Sequence, residues 1–280
     1  MQTRRFGWTG VRVPVIGQGT WQMEGDPAAE ALAALQAGLD AGMTHVDTAE
    51  LYGSGRVESL IARAIADRRE QIFLVSKVMP DHASRTGTVQ ACEASLRRLG
   101  TDHLDCYLLH WPGPHPLEDT IAAFEQLVEA GKIRCWGLSN FDVDELDETL
   151  AIAGPRRIAC NQVLYHLRAR DIEVQVLPWC VEHEVALVGY SPFGSGDFPQ
   201  PQSRGGKVFG EIARKHGVTT HQVALTFLSR DPHVFAIPKS AKVARVRENA
   251  AAAGLRLGRE EIARLEEVFP VRRGRGLPTL

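Results

Sequence analysis

The feature that most constrains this chain is an alternation repeated eight times. A short apolar run rich in Val, Ile and Leu ends in a polar residue, and a stretch with helical periodicity follows. The apolar runs fall at 13–17, 44–47, 72–77, 104–110, 133–139, 158–162, 186–191 and 234–239. The helical stretches fall at 27–41, 57–68, 88–99, 117–130, 143–153 and 172–182, then 207–216 with 221–230, and finally 243–253. Strands that alternate with amphipathic helices need crossovers that place the helices outside a parallel sheet. Eight such units predict a closed (β/α)8 TIM barrel, typically about 250 residues long. A doubly wound open sheet is the rival, but it normally brings a G-x-G-x-x-G turn, and the sequence contains none. Two pieces are left over. Residues 4–12, with Gly7 and Gly10 as turn residues, predict an N-terminal hairpin over the barrel floor, and residues 260–269 predict an extra C-terminal helix. No linker or shift in composition divides the chain, so residues 1–280 read as one domain.

Composition narrows the function classes. Thirty-two Lys and Arg against thirty-four Asp and Glu give a net charge of -2, with the two signs interleaved, so neither a nucleic-acid partner nor a membrane partner is expected. The local basic excess at Arg272, Arg273 and Arg275 reads as a solvated tail. The five cysteines are scattered without a CxxC pair, as expected for free thiols in a cytoplasmic protein. The N-terminus lacks an apolar signal-peptide region, and no run approaches the ~18 apolar residues of a membrane span.

Barrel enzymes place their reactive groups where strands end. Here those ends carry Asp47, Lys77, His110, Ser139 with Asn140, Gln162, Tyr190 with Ser191, and Lys239 with Ser240. Each has a plain alternative: Asp47 as a cap, Lys77 as a surface lysine, His110 as a core histidine, Tyr52 as a turn aromatic. Their joint placement carries more. An acid, an amine and an imidazole at the ends of three successive strands converge on one mouth, and Tyr52 lies five residues beyond Asp47. A charged lysine beside a tyrosine lowers the phenol's pKa, a carboxylate holds the lysine, and an imidazole can donate to a carbonyl oxygen. Together they form a proton donor for a developing alkoxide.

These residues sit in segments that resemble the aldo-keto reductase family, bacterial type, over nearly the whole chain. The blocks are GQGTWQM (17–23), HVDTAELYG (45–53), LVSKV (74–78), LLHWP (108–112), GLSNF (137–141), NQVLYH (161–166), GYSPFG (189–194) and IPKSAKVARVRENA (237–250), in family order. The resemblance implies an NADP-dependent oxidoreductase acting on CH–OH donors. Tyr52 would be the general acid, Lys77 would lower its pKa with Asp47 as ion-pair partner, and His110 would orient the carbonyl. Tyr190 would stack on the nicotinamide, and Ser139, Asn140 and Gln162 would hold its carboxamide, with Ser191 beside them. Gly19, Thr20 and Trp21 would edge the nicotinamide and substrate pocket. Lys239, Ser240 and Arg245 would grip the adenosine 2′-phosphate, and Glu248 and Asn249 the adenine. Two cations, a hydroxyl and a helix start suit a dianion, so NADPH is expected over NADH.

Trp21, Trp111 and Phe141 are the pocket candidates, with Trp179 or the tail as further ones; Trp21 and Trp111 adjoin matched blocks. Family members with glutamate at the position of His110 reduce carbon–carbon double bonds, so His110 implies carbonyl reduction. Small aldehydes and dicarbonyls such as methylglyoxal lead the expected substrates, and keto-sugars such as diketogluconate come next. A monomer is expected. Two other readings compete. A metal-dependent barrel hydrolase needs a convergent set of ligands, which the ten histidines do not supply, so no metal is expected. An NADPH-binding redox sensor or regulatory subunit with little turnover would share the cofactor residues.

Overall fold

In the computed structural model, which describes residues 1–271 and 277–279, eight parallel strands stand in one sheet. They are β3 (Gln18–Gly19), β4 (His45–Asp47), β5 (Phe73–Val78), β6 (Leu104–Leu109), β7 (Ile133–Ser139), β8 (Ile158–Leu164), β9 (Ala186–Tyr190) and β10 (Val234–Ile237). Each pairs with the next in sequence. Bridges Ile16↔Ala236 and Gly19↔Lys239 bring β3 against β10, with Gly17 N donating to Ala236 O at 2.8 Å, which closes the ring. That closure explains Gly19: a Cβ there would lie 2.5 Å from Ile237 O, so only glycine lets the two backbones meet. The expected TIM barrel is therefore the observed architecture.

The helices are α1 (Ala28–Asp40), α2 (Arg56–Ile65), α3 (Arg85–Leu99), α4 (Leu117–Glu129), α5 (Val143–Ala153), α6 (Val176–Glu182), α7 (Arg204–His216), α8 (Thr220–Leu228), α9 (Val243–Ala251) and α10 (Arg259–Val268). Several starts are written in the sequence as caps. Ser84 accepts from Gly87 N, and Asp142 with Glu145 and Thr219 with Gln222 form reciprocal capping boxes. Apolar faces of these helices and the outer faces of the strands make the main core. A second core fills the barrel itself, with Phe73, Cys106, Leu108, Cys160 and Phe235 among its members.

The N-terminal piece is the expected hairpin. β1 (Thr3–Arg5) pairs antiparallel with β2 (Arg12–Pro14), and Phe6 from the turn inserts among Phe73, Phe235 and His45. Two sequence expectations are corrected. The run 13–17 is not one barrel strand: its start belongs to the hairpin, and the barrel strand begins at Gln18. Pro14 ends the hairpin strand because it has no N–H to give the ladder. The stretch 172–182 is a 3-10 turn (Asp171–Glu173) followed by α6, since Pro178 is tolerated only in the first turn of an α-helix. Arg272, Arg273 and Arg275 lie outside the described residues.

Candidate active site

The strand ends converge as the barrel geometry requires. Lys77, wholly buried on β5, donates from Nζ to Asp47 Oδ1 at 2.6 Å, to Thr48 O at 2.8 Å and to Tyr52 Oη at 3.4 Å. Asp47 is fixed from its other side. Gln162 Nε2 donates to its Oδ2 at 2.7 Å, and Thr20 Oγ1 donates to its backbone carbonyl at 2.8 Å. Tyr52 reaches this centre because the chain turns sharply after it: Gly53, Ser54 and Gly55 all have positive φ, and two of the three are glycines that adopt it without strain. The Tyr52 ring meets the His110 ring edge-to-face at 5.8 Å, and His110 is tilted against Trp111 at 4.7 Å.

The electrostatics follow from burial. Burial pulls the Lys77 ammonium toward its neutral form, but Asp47 and Tyr52 outweigh it and hold the pKa above the ordinary 10.5. For Tyr52 the balance runs against the sequence expectation. Burial pushes the phenol above its ordinary 10.0, and Lys77 offsets only part of that rise. Lys77 therefore acts in the expected direction without setting the net result. His110 is driven down to about 2, by burial first and then by the charge of Lys77, so it is neutral. Its Nδ1 is buried without a hydrogen-bond partner.

A cavity of about 690 Å³ opens over this centre. Its lining includes Gly19, Thr20, Trp21, Asp47, Tyr52, His110, Trp111, Ser139, Asn140, Gln162, Tyr190, Ser191 and Lys239 from the sequence-derived set. Lys77 lies beneath it, wholly buried. Asn140 and Ser191 are held at positive φ on the cavity wall. Asn140 is tied in place by Tyr190 Oη, which donates to its Oδ1 at 2.9 Å, and by its own Nδ2, which donates to His110 O at 3.1 Å.

Ser240, Arg245, Glu248 and Asn249 lie outside this lining. Arg245 is exposed and pairs with Glu248 at 3.3 Å, Glu248 also accepts from Thr219 Oγ1 at 2.5 Å, and Asn249 is buried. Lys239 points to the cavity but is paired with Asp26 Oδ2 at 2.5 Å. Two pocket candidates are misplaced. Phe141 is buried in the core behind the site, and Trp179 packs in α6 with Nε1 donating to Asp147 Oδ1. The tail does take part, through Leu277 and Thr279. Sequence reasoning missed Leu51, Pro112, Asp142, Glu145 and Ile237. All five stand within a few residues of a strand end, and that proximity was the available signal. Among the described residues, no group of three or more His, Cys, Asp or Glu is placed to hold a metal ion, and no helix is long and apolar enough to cross a membrane.

The remaining polar groups fit a nicotinamide cofactor. Ser139 Oγ accepts from Asn140 Nδ2 and keeps its own proton to donate, while Gln162 uses its amide nitrogen on Asp47 and keeps its carbonyl oxygen as an acceptor. One donor and one acceptor side by side are complementary to a carboxamide. At the other end of the cavity, Lys239 supplies a cation suited to phosphate oxygens.

Comparison with known proteins agrees with this geometry. The aldo/keto reductase family profile matches residues 15–269. Methylglyoxal reductase YeaE of Escherichia coli (strain K12) is 42% identical over 278 residues, 98% of each chain. Glyoxal reductase of Bacillus subtilis (strain 168) is 34% identical over 92% of this chain and 89% of its own. The crystal structure of an aldo/keto reductase from Klebsiella pneumoniae, in complex with NADP and acetate, superposes with a TM-score of 0.94 at 41% identity, covering 99% of both chains. The alternation of the sequence, the closed barrel and these matches agree: the chain belongs to the aldo/keto reductase family.

Proposed function

We propose that the protein reduces aldehydes and ketones to alcohols with NADPH, with Tyr52 as the proton donor. The observation that carries this reading is the buried Asp47–Lys77–Tyr52 chain opening into a cavity beside a neutral His110. When bound, NADPH supplies a hydride. The residues of the chain do the rest. A phenol held above its ordinary pKa stays protonated at neutral pH, so Tyr52 carries a proton to give. Lys77 then stabilises the phenolate left behind, Asp47 holds the lysine, and Gln162 keeps Asp47 from moving. His110, neutral, steadies the substrate oxygen through the ring nitrogen that faces it. Tyr190 packs on the nicotinamide while Ser139, Asn140 and Gln162 hold its carboxamide. Gly19, Thr20 and Trp21 edge the same pocket, with Ser191 beside Tyr190. Lys239, Ser240 and Arg245 grip the 2′-phosphate, and Glu248 and Asn249 the adenine. Trp21 and Trp111, both partly exposed at the mouth, flank the substrate.

Small aldehydes and dicarbonyls of the methylglyoxal type lead the substrate list. The names of the Escherichia coli and Bacillus subtilis relatives support that choice, and the Klebsiella pneumoniae complex with NADP supports the cofactor. We read residues 1–280 as one functional unit acting as a monomer. Five free, buried thiols suit a reducing, cytoplasmic setting.

The test is loss of reduced-nicotinamide absorbance with methylglyoxal, glyceraldehyde, a nitrobenzaldehyde and a keto-sugar, with NADPH and NADH in parallel. Turnover with NADPH and little with NADH is expected. NADPH binding without turnover of any carbonyl would overturn the reading and favour a sensor role.

A further inference from the structure

The mouth of the cavity is charged unevenly, and the unevenness separates its two ends. Lys239 stands where β10 meets β3, with its charge matched by Asp26. Asp142 and Glu145 line the same cavity at the start of α5, three strands away round the barrel and directly after β7. They share the His110 side: Asn140, two residues before Asp142, donates to His110 O at 3.1 Å. A helix N-terminus ordinarily attracts anions, but this one is already occupied by its own carboxylates. Asp142 Oδ1 accepts from Glu145 N at 3.0 Å, and Glu145 Oε2 accepts from Asp142 N at 2.8 Å. Burial, then repulsion from Asp142, Glu148 and Asp144, raises the Glu145 carboxyl above its ordinary value, against the pull of its hydrogen bond from the Asp142 backbone. Among the described residues, no cation lining that side offsets the negative charge. His110, about nine-tenths buried with Nδ1 unpartnered, is neutral, and the charge of Lys77 is matched by Asp47.

We propose that Asp142 and Glu145 are specificity-determining residues that act by charge: the cavity favours neutral carbonyl compounds over those carrying a carboxylate. The inference rests on the carbonyl-reducing function proposed above and deepens it. With Lys239 matched by Asp26 and Lys77 by Asp47, the unmatched charges among the described lining residues are those of Asp142 and Glu145, and an anionic substrate is repelled from the end where reduction occurs. Two carboxylates facing one cavity, partly screened, would disfavour a substrate anion by about ten-fold in kcat/KM.

The test uses a matched pair, 4-carboxybenzaldehyde and its methyl ester, which differ in charge at nearly constant shape. Asp142→Asn and Glu145→Gln, alone and combined, remove charge while leaving side chains that can make the same cap bonds. Asp144→Asn, on the same helix but outside the cavity lining, is the positional control. The expected result is that the double variant raises the acid-to-ester ratio of kcat/KM about ten-fold, mostly through the acid, while the control leaves it unchanged. Added salt should narrow the wild-type difference and leave the double variant nearly unaffected. An unchanged ratio in the double variant, with wild-type thermal stability, would overturn the inference while leaving carbonyl reduction standing. If the wild type reduces no aldehyde, the function falls separately. Charge selection is then read from tryptophan quenching by benzoate and benzamide in the NADPH-loaded protein. Weaker benzoate binding relieved in the double variant would support the inference, and equal binding in the wild type would overturn it.

Discussion

Asp47→Asn is the substitution whose consequences the structure fixes most tightly. Lys77 is wholly buried, and Asp47 is the carboxylate that pairs with it, at 2.6 Å. At that distance and an effective dielectric constant near 20, the attraction is about 6 kcal/mol. Desolvation of the two ions cancels most of it, so the pair adds little net stability. Removing one partner is different, because the desolvated ammonium remains; breaking a buried pair this way costs about 3–5 kcal/mol. For a chain of this length that is a fall in Tm of roughly 5–9 °C.

The pH dependence gives the sharper signature. In the wild type the folded pKa of Lys77 lies above its ordinary 10.5. Its contribution is fully present below 10.5 and is lost as pH rises through the folded value. Without Asp47, burial dominates and the folded pKa drops below 10.5. The unfolded chain then binds the extra proton, and stability rises with pH from neutrality toward 10.5. The assay is thermal unfolding followed by circular dichroism from pH 7 to pH 10. A variant within about 1 kcal/mol of wild type, with an unchanged pH slope, would refute the account of Lys77 as a charged lysine held by one carboxylate. Turnover should fall in parallel, since Lys77 no longer stabilises the Tyr52 phenolate.

Three further outcomes are expected. Tyr52→Phe removes a hydroxyl whose contact to Lys77 is 3.4 Å and keeps the ring against His110, so the fold and NADPH binding should persist while turnover falls about 100-fold or more; unimpaired reduction would remove Tyr52 as the donor. Lys239→Ala with Arg245→Ala should weaken NADPH far more than NADH by fluorescence titration, and equal losses would remove the phosphate clamp. His45, buried among Phe6, Phe73 and Phe235 with both ring nitrogens unpartnered, has its pKa lowered by burial to about 4. Its stability contribution is present above the ordinary 6.5 and is lost as pH falls toward 4, so His45→Leu should gain about 2 kcal/mol relative to wild type at pH 5 over pH 8. Parallel stability–pH curves for the two proteins would contradict this.

The sequence by itself determined what depends on neighbours along the chain. Apolar runs and helical periodicity fix where strands and helices form, and eight alternations leave a closed parallel barrel as the simplest way to bury both kinds of face. Because strands in such a barrel run the same way, the polar residues that end them share one mouth, so Asp47, Lys77, His110 and Gln162 were legible before any coordinates. Pro14 and Pro178 shifted boundaries by a few residues because proline constrains the ladder and the helix turn locally.

What only the tertiary structure decided are balances between residues far apart in sequence. Gln162 grips Asp47 across 115 positions, and Asp26 occupies Lys239 across 213. Phe141 and Trp179 turned out to be packing residues, while Asp142, Glu145, Leu277 and Thr279 reached the cavity. The Tyr52 phenol rises rather than falls, because burial, a sum over every atom packed round the ring, exceeds the one favourable charge that the sequence made visible. Local pattern can name a lysine and a tyrosine as neighbours; the sign of their titration depends on how much water the whole fold excludes.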